Sequence, residues 1–177
     1  MDESMNQENM RAVVCTGYGG PEVLKVTQLP IPQPRPDEIR IHIKATTVTV
    51  ADFRIRSFTV PPSFWIPARL MLGITKPKNP VLGVELSGVV DSLGKGVTNF
   101  TLGDSVYATT LLSMGGYAEY ICLPSSAAIA LKPESLSYLE AAAIPTGAGT
   151  ALYFLRKASL GKGQHILIYG ASGSVGT

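Results

Sequence analysis

Between Glu38 and Lys44 the chain alternates, with Ile39, Ile41 and Ile43 interleaved with Arg40, His42 and Lys44. A period of two predicts a strand with one buried face. His42 then points at water or at a neighbouring strand, which makes it a poor candidate for a catalytic base. Similar short apolar or alternating runs, each closed by Gly, Pro or Asp, predict strands in RAVVCTGYGG, EVLKVTQLP, LGVELSGVVDSLG, GDSVYATT, GYAEYICLP and AAIALKP. The prolines of IPQPRPDE forbid regular structure between the second and third of these. Ser57–Pro80 is irregular on this reading, too long and too rich in proline for one element. Short strands with frequent turns and no long helix among them predict a mainly β, partly closed barrel over residues 10–132, preceded by a polar tail at 1–9.

The pattern changes at Pro133. Ser137 and Glu140 have the spacing of a capping box and open a short helix over Tyr138–Ile144. Pro145 interrupts it. A second helix follows, with apolar residues at 151, 152, 154, 155 and 158, Arg156 and Lys157 in its last turn and Gly161 past its end. The final stretch, HILIYGASGSVGT, reads as a buried strand at 165–169 running into a tight turn. In a dinucleotide-binding turn one glycine permits the bend, the next admits the pyrophosphate and the last lets helix and strand pack closely. Ala171-x-Gly173-x-x-Gly176 has that spacing, with Ala171 in the first glycine's place. Ala171, Ser172, Gly173, Ser174, Val175 and Gly176 are therefore candidates for holding a nucleotide. A generic glycine-rich turn has the same spacing.

Composition narrows the partners. The 177 residues leave room for one domain and part of another, with 45% hydrophobic and 16% charged residues. A net charge of +2 without any run of Lys or Arg gives no footprint for nucleic acid or for a membrane surface. Two distant cysteines, Cys15 and Cys122, exclude a disulfide framework or a four-thiolate zinc site. The polar start MDESMNQENM holds no apolar segment able to serve as a signal peptide, so a cytoplasmic location is expected.

Taken in order, YGGPEVLKV, TTVTVADFRIRS, LGVELSGVVDSLGKGVTNFTLGDSVYA, GGYAEYICLPSSAAIALKPESLSYLEAAAIPTGAGTALYFL and GASGSVG carry a resemblance over Met10–Thr177. The chain resembles the medium-chain dehydrogenase/reductases, in their zinc-free, quinone oxidoreductase-like (zeta-crystallin-like) branch. The resemblance implies a GroES-like substrate domain over 10–132. It also implies linker helices and the first strand of a Rossmann nucleotide-binding α/β domain, cut short, over 133–177. It implies hydride transfer from NADPH or NADH, with the NADP form favoured, to a quinone or an α,β-unsaturated carbonyl.

Zinc-dependent members of the superfamily hold their metal with Cys and His. Here Thr49 and Val84 stand in two of those places and the third falls near Pro145, so no zinc is expected. Glu85 is left as a partly buried structural carboxylate. Relatives of the zinc-free branch commonly carry Asn-Pro-x-Asp around Thr49–Asp52 and a tyrosine at the position of Arg54. This chain keeps only Asp52. By resemblance the catalytic candidates are Thr49, Asp52 and Arg54. Thr49 can hydrogen-bond a substrate oxygen and Arg54 can stabilise an enolate, though the same residues would equally cap a turn or sit in solvent. Thr146 and Thr150 lie where relatives contact the nicotinamide, a position ordinary helix residues would fill equally well. In the Ser57–Pro80 loop, Trp65 is the candidate for an apolar wall against the substrate.

Finishing a doubly wound domain takes on the order of a hundred further residues. The expectation is that this polypeptide alone binds nucleotide weakly and turns over no substrate. The apolar edge at 165–169 is then expected to favour self-association or disorder. The competing reading is a stand-alone GroES-like module that binds a ligand without catalysis. A zinc-independent alcohol dehydrogenase is a further alternative within the enzyme class.

Overall fold

Strands form where the alternating runs end in turn residues. A computed structural model describes residues 8–177, so residues 1–7 of the polar tail lie outside the described residues. The strands are β1 (Asn9–Cys15), β2 (Leu24–Pro30), β3 (Glu38–Thr46), β4 (Glu85–Leu93), β5 (Ser105–Thr109), β6 (Tyr120–Pro124) and β7 (Ile129–Leu131). The helices are α1 (Val50–Ser57), α2 (Trp65–Leu72), α3 (Tyr138–Ala142) and α4 (Ile144–Lys157). No helix among the described residues is long and apolar enough to cross a membrane.

β3 to β7 make one antiparallel sheet in the order β6-β3-β4-β5-β7, and β1 and β2 pair as a separate antiparallel ribbon. The expected partly closed barrel is instead an open sheet with edges at β6 and β7. The ribbon is stitched on by isolated bridges, Ala12 to Ala118 and Val14 to Val81. The Val13 N–H donates to the Tyr117 carbonyl at 2.8 Å and the Cys15 N–H to that of Pro80 at 2.7 Å.

The isoleucines of β3 behave as the alternation requires. Ile39 and Ile41 are fully buried and join Leu86, Val90, Val106 and Leu123 in the main core. Each such side chain contributes roughly 1.5–3 kcal/mol by leaving water. His42, on the other face, stacks on Tyr120 across the β3–β6 pair with ring centroids 4.7 Å apart. β3 and β4 lie so close at Gly88 that a Cβ there would stand 2.3 Å from the His42 carbonyl oxygen. Only glycine admits that register.

Two helices depart from the sequence expectation. α1 starts at a capping box: the Asp52 N–H donates to the Thr49 hydroxyl while the Asp52 carboxylate accepts from the Thr49 N–H. α2 forms inside the stretch read as irregular. Its Pro67 falls in the first turn, where the missing N–H has no intrahelical partner to lose. α3 does begin with the expected capping box of Ser137 and Glu140, and α4 follows with Pro145 in its first turn and Arg156 and Lys157 in its last.

The strand expected at 165–169 does not form. The run has no assigned ladder, Leu167 is 91% exposed and Tyr169 100% exposed. β-branched composition favours an extended backbone, but a strand also needs a hydrogen-bonded neighbour. No strand among the described residues runs beside it. The apolar edge expected to self-associate is therefore not built.

Candidate functional site

Thr49 and Asp52 sit at the junction of β3 and α1, and their polar atoms face each other. The Thr49 hydroxyl donates to Asp52 Oδ2 at 2.6 Å and its N–H to the same oxygen at 2.9 Å. Asp52 Oδ1 accepts from the Gly83 N–H at 3.0 Å. Three donors thus satisfy a carboxylate that is only 2% exposed, which is what a buried charge requires. They fix α1 to the loop before β4. Arg54 projects from the next turn of α1 and is exposed. Around this cap stand exposed apolar side chains, with Val48 84%, Val50 66% and Phe53 49% accessible.

A second polar junction centres on Glu85, the first residue of β4. It is buried. Its Oε2 accepts from the Thr47 hydroxyl at 2.6 Å and its Oε1 from the Thr146 N–H at 2.8 Å. The structural role expected of Glu85 has a specific form: it ties the end of β3 to the first turn of α4. Thr146 and Thr150 are four apart on α4, so their side chains share one helix face. Thr146 is exposed and Thr150 half-buried.

Trp65 opens α2 and packs edge-on against Phe58, with centroids 5.9 Å apart. Phe58 caps the C-terminus of α1 with φ of 53°. That left-handed conformation costs a non-glycine residue about 1 kcal/mol, offset here by burying the ring. Arg69, one turn along α2, places its guanidinium carbon 3.9 Å from the Phe58 centroid, 4.6 Å from that of Tyr18 and 4.9 Å from that of Trp65. Its Nη1 donates to the Ile74 carbonyl, while its buried Nε has no partner among the described residues. Part of the Trp65 surface is therefore engaged by this chain's own cation.

A cleft of about 610 Å³ opens between the β1–β2 ribbon and α1, walled by Ala12, Leu24, Val26, Val48, Phe53 and Tyr117. Of the sequence-derived candidates only Asp52 lines it. Tyr117 was not singled out by the sequence. Its hydroxyl is buried without a partner among the described residues. Burial first, and then the negative charge of Asp52, hold this phenol well above the ordinary tyrosine range. Neither cysteine is an activated nucleophile. Burial raises Cys15, and burial pushes Cys122 up to about 11, so both are thiols at neutral pH.

Ala171, Ser172, Gly173, Ser174, Val175 and Gly176 follow each other in turns rather than at the start of a helix. The Gly173 N–H donates to the Gly170 carbonyl at 3.0 Å, and those of Gly176 and Thr177 donate to the Gly173 carbonyl at 2.9 and 3.1 Å. The structure therefore separates the candidates into three places: the α1 cap with Arg54, the α2 wall with Trp65, and the α4 face with the glycine-rich turn. Glu85 bonds Thr47, two residues before the α1 cap, and Thr146 in the first turn of α4. Among the described residues no cluster of His, Cys, Asp and Glu could hold a metal ion.

Residues 35–133 match the model of the alcohol dehydrogenase GroES-like domain. The quinone oxidoreductase of Sus scrofa is 35% identical over 173 residues, covering 96% of this chain and 48% of that protein. The synaptic vesicle membrane protein VAT-1 homolog-like of Mus musculus is 32% identical over 171 residues, covering 96% of this chain and 37% of that protein. Among solved structures, the quinone oxidoreductase from Coxiella burnetii superposes with a TM-score of 0.80 at 32% identity, over 96% of this chain and 51% of that one. The chain thus spans about half the length, or less, of these relatives.

Proposed function

The chain belongs to the medium-chain dehydrogenase/reductase superfamily, in its quinone oxidoreductase-like branch, and from that premise we propose that it forms the substrate side of a nicotinamide-dependent reductase of quinones or α,β-unsaturated carbonyls. The observation that carries this reading is the surface around Thr49. Val48, Val50 and Phe53 expose an apolar lip beside a helix start that Asp52 holds rigid, and Arg54 stands exposed one turn on. A flat apolar substrate rests on such a lip, and Arg54 supplies a cation for the oxyanion that develops on its carbonyl oxygen. Trp65 and α2 wall the same domain. Zinc has no place in this reading, because of Thr49, Val84 and Pro145 only Thr49 carries a side-chain donor, and that donor bonds Asp52.

NADPH is the proposed cofactor, and it supplies the hydride. The donor chemistry of the glycine-rich turn suits its pyrophosphate. Ser172, Ser174 and Thr177 bring hydroxyls, Gly173 and Gly176 bring amides, and no acidic side chain lies between Ile166 and Thr177. Thr146 and Thr150 present their shared face to the nicotinamide end. Because the turn's amides are hydrogen-bonded to its own carbonyls, NADPH must displace those bonds, and weak affinity follows for the chain as described.

A second reading, ligand binding without catalysis, is favoured by the apolar cleft of about 610 Å³ beside Tyr117, which lies in the size range of small-molecule sites. One titration separates the two. A soluble naphthoquinone added to the isotopically labelled chain should move the amide signals of Thr49, Val50, Arg54 and Thr146, none of which lines the cleft. Movement confined to the cleft lining, Ala12, Leu24, Val26, Val48, Asp52, Phe53 and Tyr117, or none at millimolar ligand, would refute the reductase reading.

A further inference from the structure

Glu85 and Ser87 are two residues apart on β4, so their side chains leave the sheet on one face. Both reach the helices that follow Pro133. The Ser87 hydroxyl donates to the Tyr138 carbonyl at 2.5 Å, and Glu85 accepts the Thr146 N–H at 2.8 Å. α4 needs that second bond. Its N-cap, Ala143, has no side-chain acceptor, and Pro145 has no N–H. The Thr146 amide is thus an orphan donor of the first turn, and the carboxylate that satisfies it also stands at the positive end of the helix dipole.

The next residue, Gly147, is buried against the glycine-rich turn. A Cβ there would stand 2.3 Å from the Ser174 carbonyl oxygen, so helix backbone touches turn backbone directly. The sheet, the first turn of α4 and the Gly170–Thr177 segment therefore form one uninterrupted series of contacts, with the Thr47 hydroxyl steadying Glu85 from the other side at 2.6 Å.

We propose that Glu85 is a positioning residue for the nucleotide turn: by capping α4 from the β sheet it sets, through Gly147, the placement of Gly170–Thr177, and so tunes NADPH affinity without touching the cofactor. The affinity half rests on reading that turn as nucleotide-binding; the mechanical half does not. Glu85 also lies between the α1 cap and α4, which makes it the point where the substrate side and the cofactor side share one side chain.

The test is a set of amide spectra on the full 177-residue chain and its variants. In Glu85→Leu, exchange at the Thr146 amide should accelerate roughly fivefold, as for loss of a helix cap, and the Gly173, Gly176 and Thr177 signals should move. Glu85→Gln keeps an acceptor and should restore both. Gly147→Ala should move the same turn signals while Thr146 stays protected. It tests the contact between α4 and the turn if Glu85→Leu does not fold, and Thr47→Val, which removes the hydroxyl that steadies Glu85, then reports on Glu85 through the same turn signals. Turn signals that stay put in Gly147→Ala, or in a folded Glu85→Leu, overturn the proposal. Titration with NADPH completes the set, with an expected roughly fivefold rise in dissociation constant for Glu85→Leu over the parent. Should NADPH leave the parent's turn signals unmoved while the substitutions shift them, the nucleotide reading falls and the mechanical coupling stands.

Discussion

Two runs of this chain read alike, and only one becomes a strand. Ile39, Ile41 and Ile43 in β3 and Ile166, Leu167, Ile168 and Tyr169 near the other end are both apolar and rich in β-branched or aromatic residues. β3 lies between β4 and β6, and Ile39 and Ile41 are fully removed from water. The later run has no neighbouring strand among the described residues and lies exposed. Strand propensity describes how well a residue fits a pleated, half-buried surface, and the surface has to be there. In the fold the two regions are separated by partners: β3, alternating with Arg40, His42 and Lys44, lies between β4 and β6, and the uninterrupted apolar run has no neighbouring strand among the described residues.

That contrast breaks most visibly in the core. Leu86→Ala should lower stability by about 3 kcal/mol in urea denaturation, because the cavity opens between β3, β4 and β5 where neighbours cannot collapse. Asp52→Ala comes next, at about 2 kcal/mol in the same measurement, since the Gly83 and Thr49 amides lose their acceptor. Thr49→Ala should cost about 1 kcal/mol as the loss of a helix cap, read as a drop in thermal midpoint. A smaller effect belongs to the ribbon. The backbone amide and side chain of Arg11 bond Glu119 and hold its carboxyl below the ordinary value of 4.5. A depressed carboxyl stabilises the fold above that value and loses the contribution as pH falls through its folded pKa. The urea midpoints of Glu119→Gln and the parent should therefore differ at pH 7 and converge as pH falls past the ordinary value of 4.5 and through the lowered folded pKa. The smallest effect sharpens the comparison: Leu167→Ser should change stability by less than about 0.5 kcal/mol.

Much of the sheet was legible because its signals are local. The alternation of β3, the turn residues after each strand and the Ser137–Glu140 box all specify structure within a few residues of themselves. The Thr49–Asp52 box was equally local, and its spacing is a helix-start signature. Reading it as catalytic or as the cap of a turn, rather than as a helix start, hid α1. α2 was masked by Pro61, Pro62 and Pro67, which punctuate the sequence without breaking a helix that begins among them. The Glu85–Thr146 and Asp52–Gly83 bonds join residues 61 and 31 apart, and no periodicity reports such pairs. Arg69 and Tyr117 were invisible for the same reason: what sets them apart is a buried polar atom without a partner among the described residues, and that exists only once the chain is folded. At 165–169 the composition spoke clearly and misled, because it reports a preference that only a neighbouring strand can realise.

Hydrogen exchange followed peptide by peptide across the whole chain tests that account most directly. It predicts the slowest exchange in peptides covering Ile39–Ile43 and Leu86–Val90, and complete exchange of the peptide covering Ile166–Tyr169 at the earliest time point. Protection of Ile166–Tyr169 comparable to that of β3 would contradict it.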